Sequence, residues 1–299
     1  MSYALALMEL AAGDGALSTI VSIQNSLVAA ALVRHGNAAQ QKRFLPALVS
    51  GDCIGAFALT EADAGSDAAA IRCRATKQTG GYVLNGTKQF ITSGRIAGLA
   101  IVFAVTDPDA AKRGISAFLV PTDRPGYHVD KVEHKLGQAA SDTCALRFAD
   151  LFLENELRLG EDGAGYAIAL ANLEAGRIGI AAQSVGMARA ALELATGYAR
   201  DRKSFGKPII QHQAVGFRHA GITVDHEQRC RAIRLAEQRQ RRIRFDFAAA
   251  LARGIHEGAG REAAQIRIPP GLIALGGQAQ FEKSLHGLFA QRRQRIGGA

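Results

Sequence analysis

A chain of 299 residues with 48% hydrophobic content can bury a sizeable core spread over two or three domains. No uninterrupted apolar run reaches the roughly 18 to 20 residues of a membrane span, and the first residues lack a signal-peptide pattern, so a cytoplasmic protein with no membrane partner is expected. The net charge of +9 is unevenly placed: residues 221–299 hold fourteen Lys and Arg, thirteen of them Arg, against seven Asp and Glu. Such a segment suits phosphate or nucleic acid, but it lacks aromatic interleaving and any zinc or helix-turn-helix signature, which makes nucleic-acid binding a remote alternative. Cys53, Cys73, Cys144 and Cys230 are scattered without metal-ligand or disulfide-framework spacing and read as reduced thiols, so no metal is expected.

In chain order, residues 3–12 predict a helix stopped by Gly13-Asp14-Gly15. Residues 16–35 predict a second helix ended by Gly36, and residues 38–48 a third. Residues 53–59 are apolar enough for a buried strand, and 60–67 then supply two hydroxyls (Thr60, Ser66), backbone N–H groups freed by Gly65, and three carboxylates. Hydroxyls and turn amides of this kind can hold a flat, acceptor-rich heterocycle and an anionic chain beside it. Residues 81–93 read as a hairpin turning at Asn85-Gly86 and ending in Phe90-Ile91-Thr92-Ser93-Gly94.

These two stretches resemble the flavin-binding segments of the acyl-CoA dehydrogenases. The resemblance implies FAD as cofactor. Phe57, Leu59 and Thr60 would touch the flavin, Ser66 would lie at both the cofactor and the acyl-CoA arm, and Phe90, Ile91 and Thr92 would complete the flavin wall with the Thr92 hydroxyl on N5. It further implies an α+β fold: N-terminal helices over 1–52, a central antiparallel β-barrel over 53–153, and a C-terminal helical bundle over 154–299. The opening helices that precede Tyr3 in the family would lie outside this chain.

Further strands are expected over 99–105, 115–121 and 143–148, short segments separated by Gly, Pro and Asp turns. Residues 166–200 predict a long helix with a break near Glu174. Glu174 and Arg177, three apart, share a face and can pair; the resemblance makes them acyl-CoA contacts. Arg202-Lys203-Ser204-Phe205-Gly206 and Gln213 are similar to the family segment that reaches the FAD of a neighbouring subunit, a task suited to guanidinium geometry. Arg202, Ser204, Phe205 and Gln213 would then serve the partner's cofactor in a homodimer or homotetramer, with electron-transfer flavoprotein as the implied electron acceptor.

Beyond about Phe217 the resemblance fades. Residues 265–271 distort one family motif, residues 280–285 resemble the segment before another, and the catalytic Glu is absent: its family positions fall at Gly176 or near Arg295. An Arg, with a pKa above about 12, cannot act as a base at neutral pH. The expected function is α,β-dehydrogenation of a short or short branched-chain acyl-CoA, in fatty acid or amino acid catabolism. The alternative is a catalytically impaired flavin and acyl-CoA binding member of the family.

Overall fold

The computed structural model describes residues 3–242, so Arg295 and segments 265–271 and 280–285 lie outside the described residues, as does most of the Arg-rich stretch. The chain opens with α1 (Tyr3–Gly13). Asp14 begins the next helix, its carboxylate accepting the N–H groups of Ala16 and Leu17. This helix runs as α2 (Gly15–Ser22), a π-helical stretch (Ile23–Ala29) and α3 (Ala30–His35). An Asn37/Gln40 capping box then starts α4 (Ala38–Ser50).

By length and composition Gly15–His35 would suffice to cross a membrane, although half of its apolar window is buried inside the structure. Gln24, in its middle, shows how it is used. Its amide donates to the carbonyls of Leu48 and Cys53, and its oxygen accepts the N–H of Gly55. One buried polar side chain thus ties the helix to the end of α4 and to the first strand.

The strands are β1 (Gly55–Ala58), β2 (Arg74–Gln78), β3 (Gly81–Thr92), β4 (Leu99–Val105), β5 (Ile115–Pro121), β6 (Tyr127–Val132), β7 (Thr143–Glu154) and β8 (Arg158–Leu159). They form one eight-stranded sheet in the order β6-β7-β3-β2-β4-β5-β8, with β1 beside β4. It is not wholly antiparallel, because β1 and β2 both run parallel to β4. β4 is apolar throughout since strands flank it and helix α5 (Gly165–Asp201) packs on it. β6 escapes the sequence pattern because it is a mostly exposed edge strand with no apolar alternation.

The hairpin expected at Asn85-Gly86 does not form. β3 runs straight through it, and the chain turns instead at Thr79-Gly80, between the paired residues Gln78 and Gly81. Pairing with β7 overrides the local turn signal. Asn85 donates to the Asp150 carboxylate and accepts the Asp150 N–H, while Gly86, at φ 144°, passes so close to Cys73 that a Cβ would lie 2.7 Å from its Cα. Asn85 stands opposite a bulge of β7, Ala149 and Asp150, and no reversal occurs.

Helix α5 (Gly165–Asp201) is continuous over 37 residues, with no break at Glu174. Its glycines serve close packing. At Gly179 a Cβ would stand 2.9 Å from Ser22 Oγ, and at Gly186 only 2.2 Å from the backbone oxygen of Met8. Gly186→Ala should therefore push α1 off α5 and cost about 1 to 3 kcal/mol, as overpacked cores do, read as a drop in thermal midpoint. The short hairpin β9 (Lys203–Ser204) and β10 (Lys207–Pro208) leads into α6 (Gln213–Arg242), which packs on α5.

Candidate functional site

The chain leaving β1 crosses the end of β3 and faces α5, and between these three elements lies a cavity of about 750 Å³. Phe57, Leu59, Thr60, Gly65 and Ser66 line it from the first stretch, Phe90 and Ile91 from β3, and Leu170, Leu173, Glu174 and Arg177 from α5. The last four recur at helical spacing, one stripe of α5 turned inward. Leu170 and Leu173 were not singled out from the sequence as site residues; the 170/173/174/177 spacing was the available signal.

The three carboxylates of the turn are not offered to a ligand. Asp67 caps the N–H of Ala69, and Asp63 pairs with Arg72 in solvent. Glu61 is nearly buried and accepts the backbone N–H groups of Arg72 and Cys73 at 2.6 and 3.0 Å. Its third partner is Lys88, whose side chain is wholly buried and whose Nζ donates to Glu61 Oε1 at 2.7 Å and to the Leu59 carbonyl at 2.9 Å. Burial holds the Lys88 ammonium below its ordinary pKa, against the pull of the neighbouring Cys73 and Glu61 groups. A lysine in a strand reads as solvated, so nothing in the sequence marked this one.

Between Lys88 and Ile91 a second bulge opens: Gln89 and Phe90 stand opposite a single residue of β7. The Gln89 N–H goes to the Thr60 carbonyl at 2.9 Å. Phe90 and Ser93 take φ of 59° and 62°, the left-handed region that non-glycine residues rarely occupy. Backbone strain of this kind clusters at ligand sites, and here it turns the Phe90 ring, 58% exposed, to the cavity mouth.

Thr92 lies apart from this first cavity. With Thr19, Lys135, Gly137, Gln138, Ser141, Thr143 and Met187 it lines a second one of about 520 Å³. Ser141 Oγ is buried there without a partner, a hydroxyl free for a bound molecule. Arg202, Ser204, Phe205 and Gln213 line neither cavity. They sit at the β9-β10 hairpin and the start of α6, with Phe205 95% exposed at φ 52° and edge-on to His212.

Gly176 turns away from the first cavity. A Cβ there would meet Leu27 Cδ2 at 3.4 Å and Ser26 Oγ at 3.8 Å, on the N-terminal helices. Glu174, about 200° round the helix from Gly176 at 3.6 residues per turn, is the carboxylate that lines the cavity.

The lining suits a flat ring with an anionic tail. An exposed aromatic and small hydroxyl-bearing turns form one side and the Arg177 guanidinium the other, within the volume range of small-molecule sites. Comparison with known proteins agrees with this geometry. The family model described as acyl-CoA dehydrogenase, N-terminal domain, matches residues 1–52, the middle-domain model 56–151 and the C-terminal-domain model 163–267. The last match runs well past Phe217, where the sequence reading saw the resemblance fade. An acyl-CoA dehydrogenase of Bacillus subtilis is 44% identical over 227 residues, 76% of this chain and 60% of the relative. The solved butyryl-CoA dehydrogenase of Megasphaera elsdenii superposes with a TM-score of 0.79 at 38% identity, covering 86% of this chain and 67% of that one. A glutaryl-CoA dehydrogenase of Mycobacterium smegmatis in complex with FADH2 gives a TM-score of 0.73 at 38% identity, covering 79% and 59%. The chain spans about 60% of the length of the curated relatives it matches.

Proposed function

Because the chain belongs to the acyl-CoA dehydrogenase family, we propose that it forms the FAD- and acyl-CoA-binding part of a cytoplasmic, homo-oligomeric flavoprotein acting on a short or short branched-chain acyl-CoA. The observation that carries this reading is the single cavity lined at once by the β1 turn, the bulged end of β3 and the inward stripe of α5. In it, Phe57, Leu59, Thr60, Phe90 and Ile91 would hold the isoalloxazine, with Thr92 reaching it from the neighbouring cavity. Ser66, Glu174 and Arg177 would hold the acyl-CoA, the guanidinium facing its phosphates. FAD, when bound, supplies the acceptor for the β hydride of the thioester, while the α proton must go to a carboxylate. Domains at 1–52, 53–153 and 154–299 and an electron-transfer flavoprotein as redox partner complete the proposal.

Reconstitution tests it. Purified protein incubated with FAD should retain a flavin spectrum after desalting and should bind butyryl-CoA or isovaleryl-CoA with a perturbation of that spectrum. Protein that stays colourless would remove the reading.

Arg202, Ser204, Phe205 and Gln213 are assigned to the FAD of a neighbouring subunit, in keeping with their exposure away from both cavities. A charge-assisted hydrogen bond contributes about 1.5 to 3 kcal/mol, so Arg202→Ala should weaken FAD binding roughly ten- to hundredfold. By mass action it should weaken assembly together with it. Sedimentation with and without FAD checks this; a monomer that holds FAD tightly contradicts subunit sharing.

A second reading, a binding protein with impaired catalysis, is favoured by Gly176, which brings no carboxylate to the α5 position where some relatives keep their base.

A further inference from the structure

We infer that Lys88 is a positioning residue for the bound cofactor: its buried ammonium clamps the turn at Leu59, Thr60 and Glu61 onto β3 and so sets the spacing between two walls of the first cavity. The inference deepens the FAD reading above and rests on it.

Three consecutive residues of the turn are tied to two consecutive residues of β3. The Leu59 carbonyl and the Glu61 carboxylate accept from Lys88 Nζ at 2.9 and 2.7 Å, and the Thr60 carbonyl accepts from the Gln89 N–H at 2.9 Å. Glu61 cannot swing away with the lysine, because the N–H groups of Arg72 and Cys73 fix its carboxylate. On one side of this knot stand Leu59 and Thr60, on the other Phe90 and Ile91, and all four line the cavity. Phe90 follows the knot directly and is held in a left-handed conformation that is costly unless its surroundings over-determine it.

The chemistry of the clamp also argues for placement over bulk stability. A buried ion pair often adds no net stability over well-packed apolar residues of similar volume. What it does supply is direction: an ammonium with three donors must meet its acceptors at hydrogen-bond distance, whereas an apolar pair could slide along the strand. Sites that hold a ligand productively need their groups fixed to about 0.5 Å, and the clamp acts on the two backbone segments that carry the cavity walls.

The experiment titrates apoprotein with FAD and records the visible flavin band. The proteins compared are the unmodified chain, Lys88→Met, the double variant Lys88→Met/Glu61→Gln, and Leu153→Ala. Leu153 is fully buried opposite Tyr82, which precedes Lys88 by six residues on β3, and lies away from the cavity, so its truncation destabilises the sheet without touching the clamp. Both Lys88 variants should bind FAD about tenfold to hundredfold more weakly, because the walls that hold it lose the spacing to which a binding site must be fixed, and should show a shifted flavin band. Leu153→Ala should stay within about twofold of the unmodified protein, as distant sites do. Should Lys88→Met fail to fold, the double variant, which leaves no buried unpaired carboxylate charge, supplies the measurement. A folded Lys88 variant that binds FAD as tightly as the unmodified chain, with the same band, overturns the inference and leaves the FAD reading standing. Unmodified protein that takes up no FAD overturns both, and does so before any substitution is made.

Discussion

Lys88→Met is expected to lower the stability of the folded chain by about 3 to 5 kcal/mol, the cost of removing one partner from a buried ion pair. The side chain of Lys88 is wholly shielded and that of Glu61 is 10% exposed, so no water replaces the lost ammonium around either Glu61 or the Leu59 carbonyl. The two backbone N–H groups on Glu61 remain, but the lysine no longer offsets the desolvation of its carboxylate. At roughly 2 to 4 °C per kcal/mol for a domain of 150 to 250 residues, the thermal midpoint should fall by about 6 to 20 °C. Lys88→Met/Glu61→Gln should recover part of this loss, because it replaces an orphaned charge with a neutral amide. The sign of the pH dependence follows from the direction of the shift. Burial lowers the folded-state pKa of Lys88 below its ordinary 10.5, so between those two values the unfolded chain binds more protons and stability rises with pH. Melts of the unmodified protein should show that rise and Lys88→Met should lack it; a variant whose midpoint moves by less than about 2 °C would mean the pair contributes nothing.

How far the sequence could be read shows in particular elements. β4 and β5 match their expected bounds, 99–105 and 115–121, because every residue of such strands but the last is buried and the apolar run begins and ends with the strand. Asn85-Gly86 misled for the opposite reason: a local turn preference met nine residue pairs between β3 and β7 and lost. Gly176, Gly179 and Gly186 of α5 mark where the N-terminal helices approach its axis, a long-range fact no local pattern carries. In the site, the resemblance picked out Phe57, Leu59, Thr60, Ser66, Phe90, Ile91, Glu174 and Arg177, and the structure brings all eight to one cavity. It separates Thr92 from them. The partners of the three turn carboxylates were not legible: Glu61 and Asp67 accept nearby backbone N–H groups and Asp63 pairs with Arg72. Lys88 was illegible, since no sequence pattern distinguishes a lysine that turns inward.

Little or no acyl-CoA dehydrogenation is expected from the chain as written, even when it binds FAD. General-base assistance accounts for about 10² to 10⁴ in rate, and neither position at which the resemblance places the base carries a carboxylate: one is Gly176, the other falls near Arg295. The structure sharpens the test at the first of these. A Cβ at Gly176 meets only ordinary contacts with Leu27 and Ser26, so the first atom of the new side chain fits there. Its Cβ starts on the helix face about 60° from that of Leu173, a cavity-lining residue, by the 100° turn per residue. A glutamate is long enough to swing from there toward the cavity. Gly176→Glu should therefore gain turnover over the unmodified protein by a factor toward the lower end of that range, about 10². The measurement is anaerobic reduction of the bound flavin by butyryl-CoA or isovaleryl-CoA in a stopped-flow instrument. Should the unmodified chain already reduce its flavin at the 1 to 10³ per second typical of enzymes, the expectation is wrong and a base is present. Glu174, the carboxylate lining the cavity, would then be the residue to replace, and Glu174→Gln should abolish the reduction while leaving FAD bound.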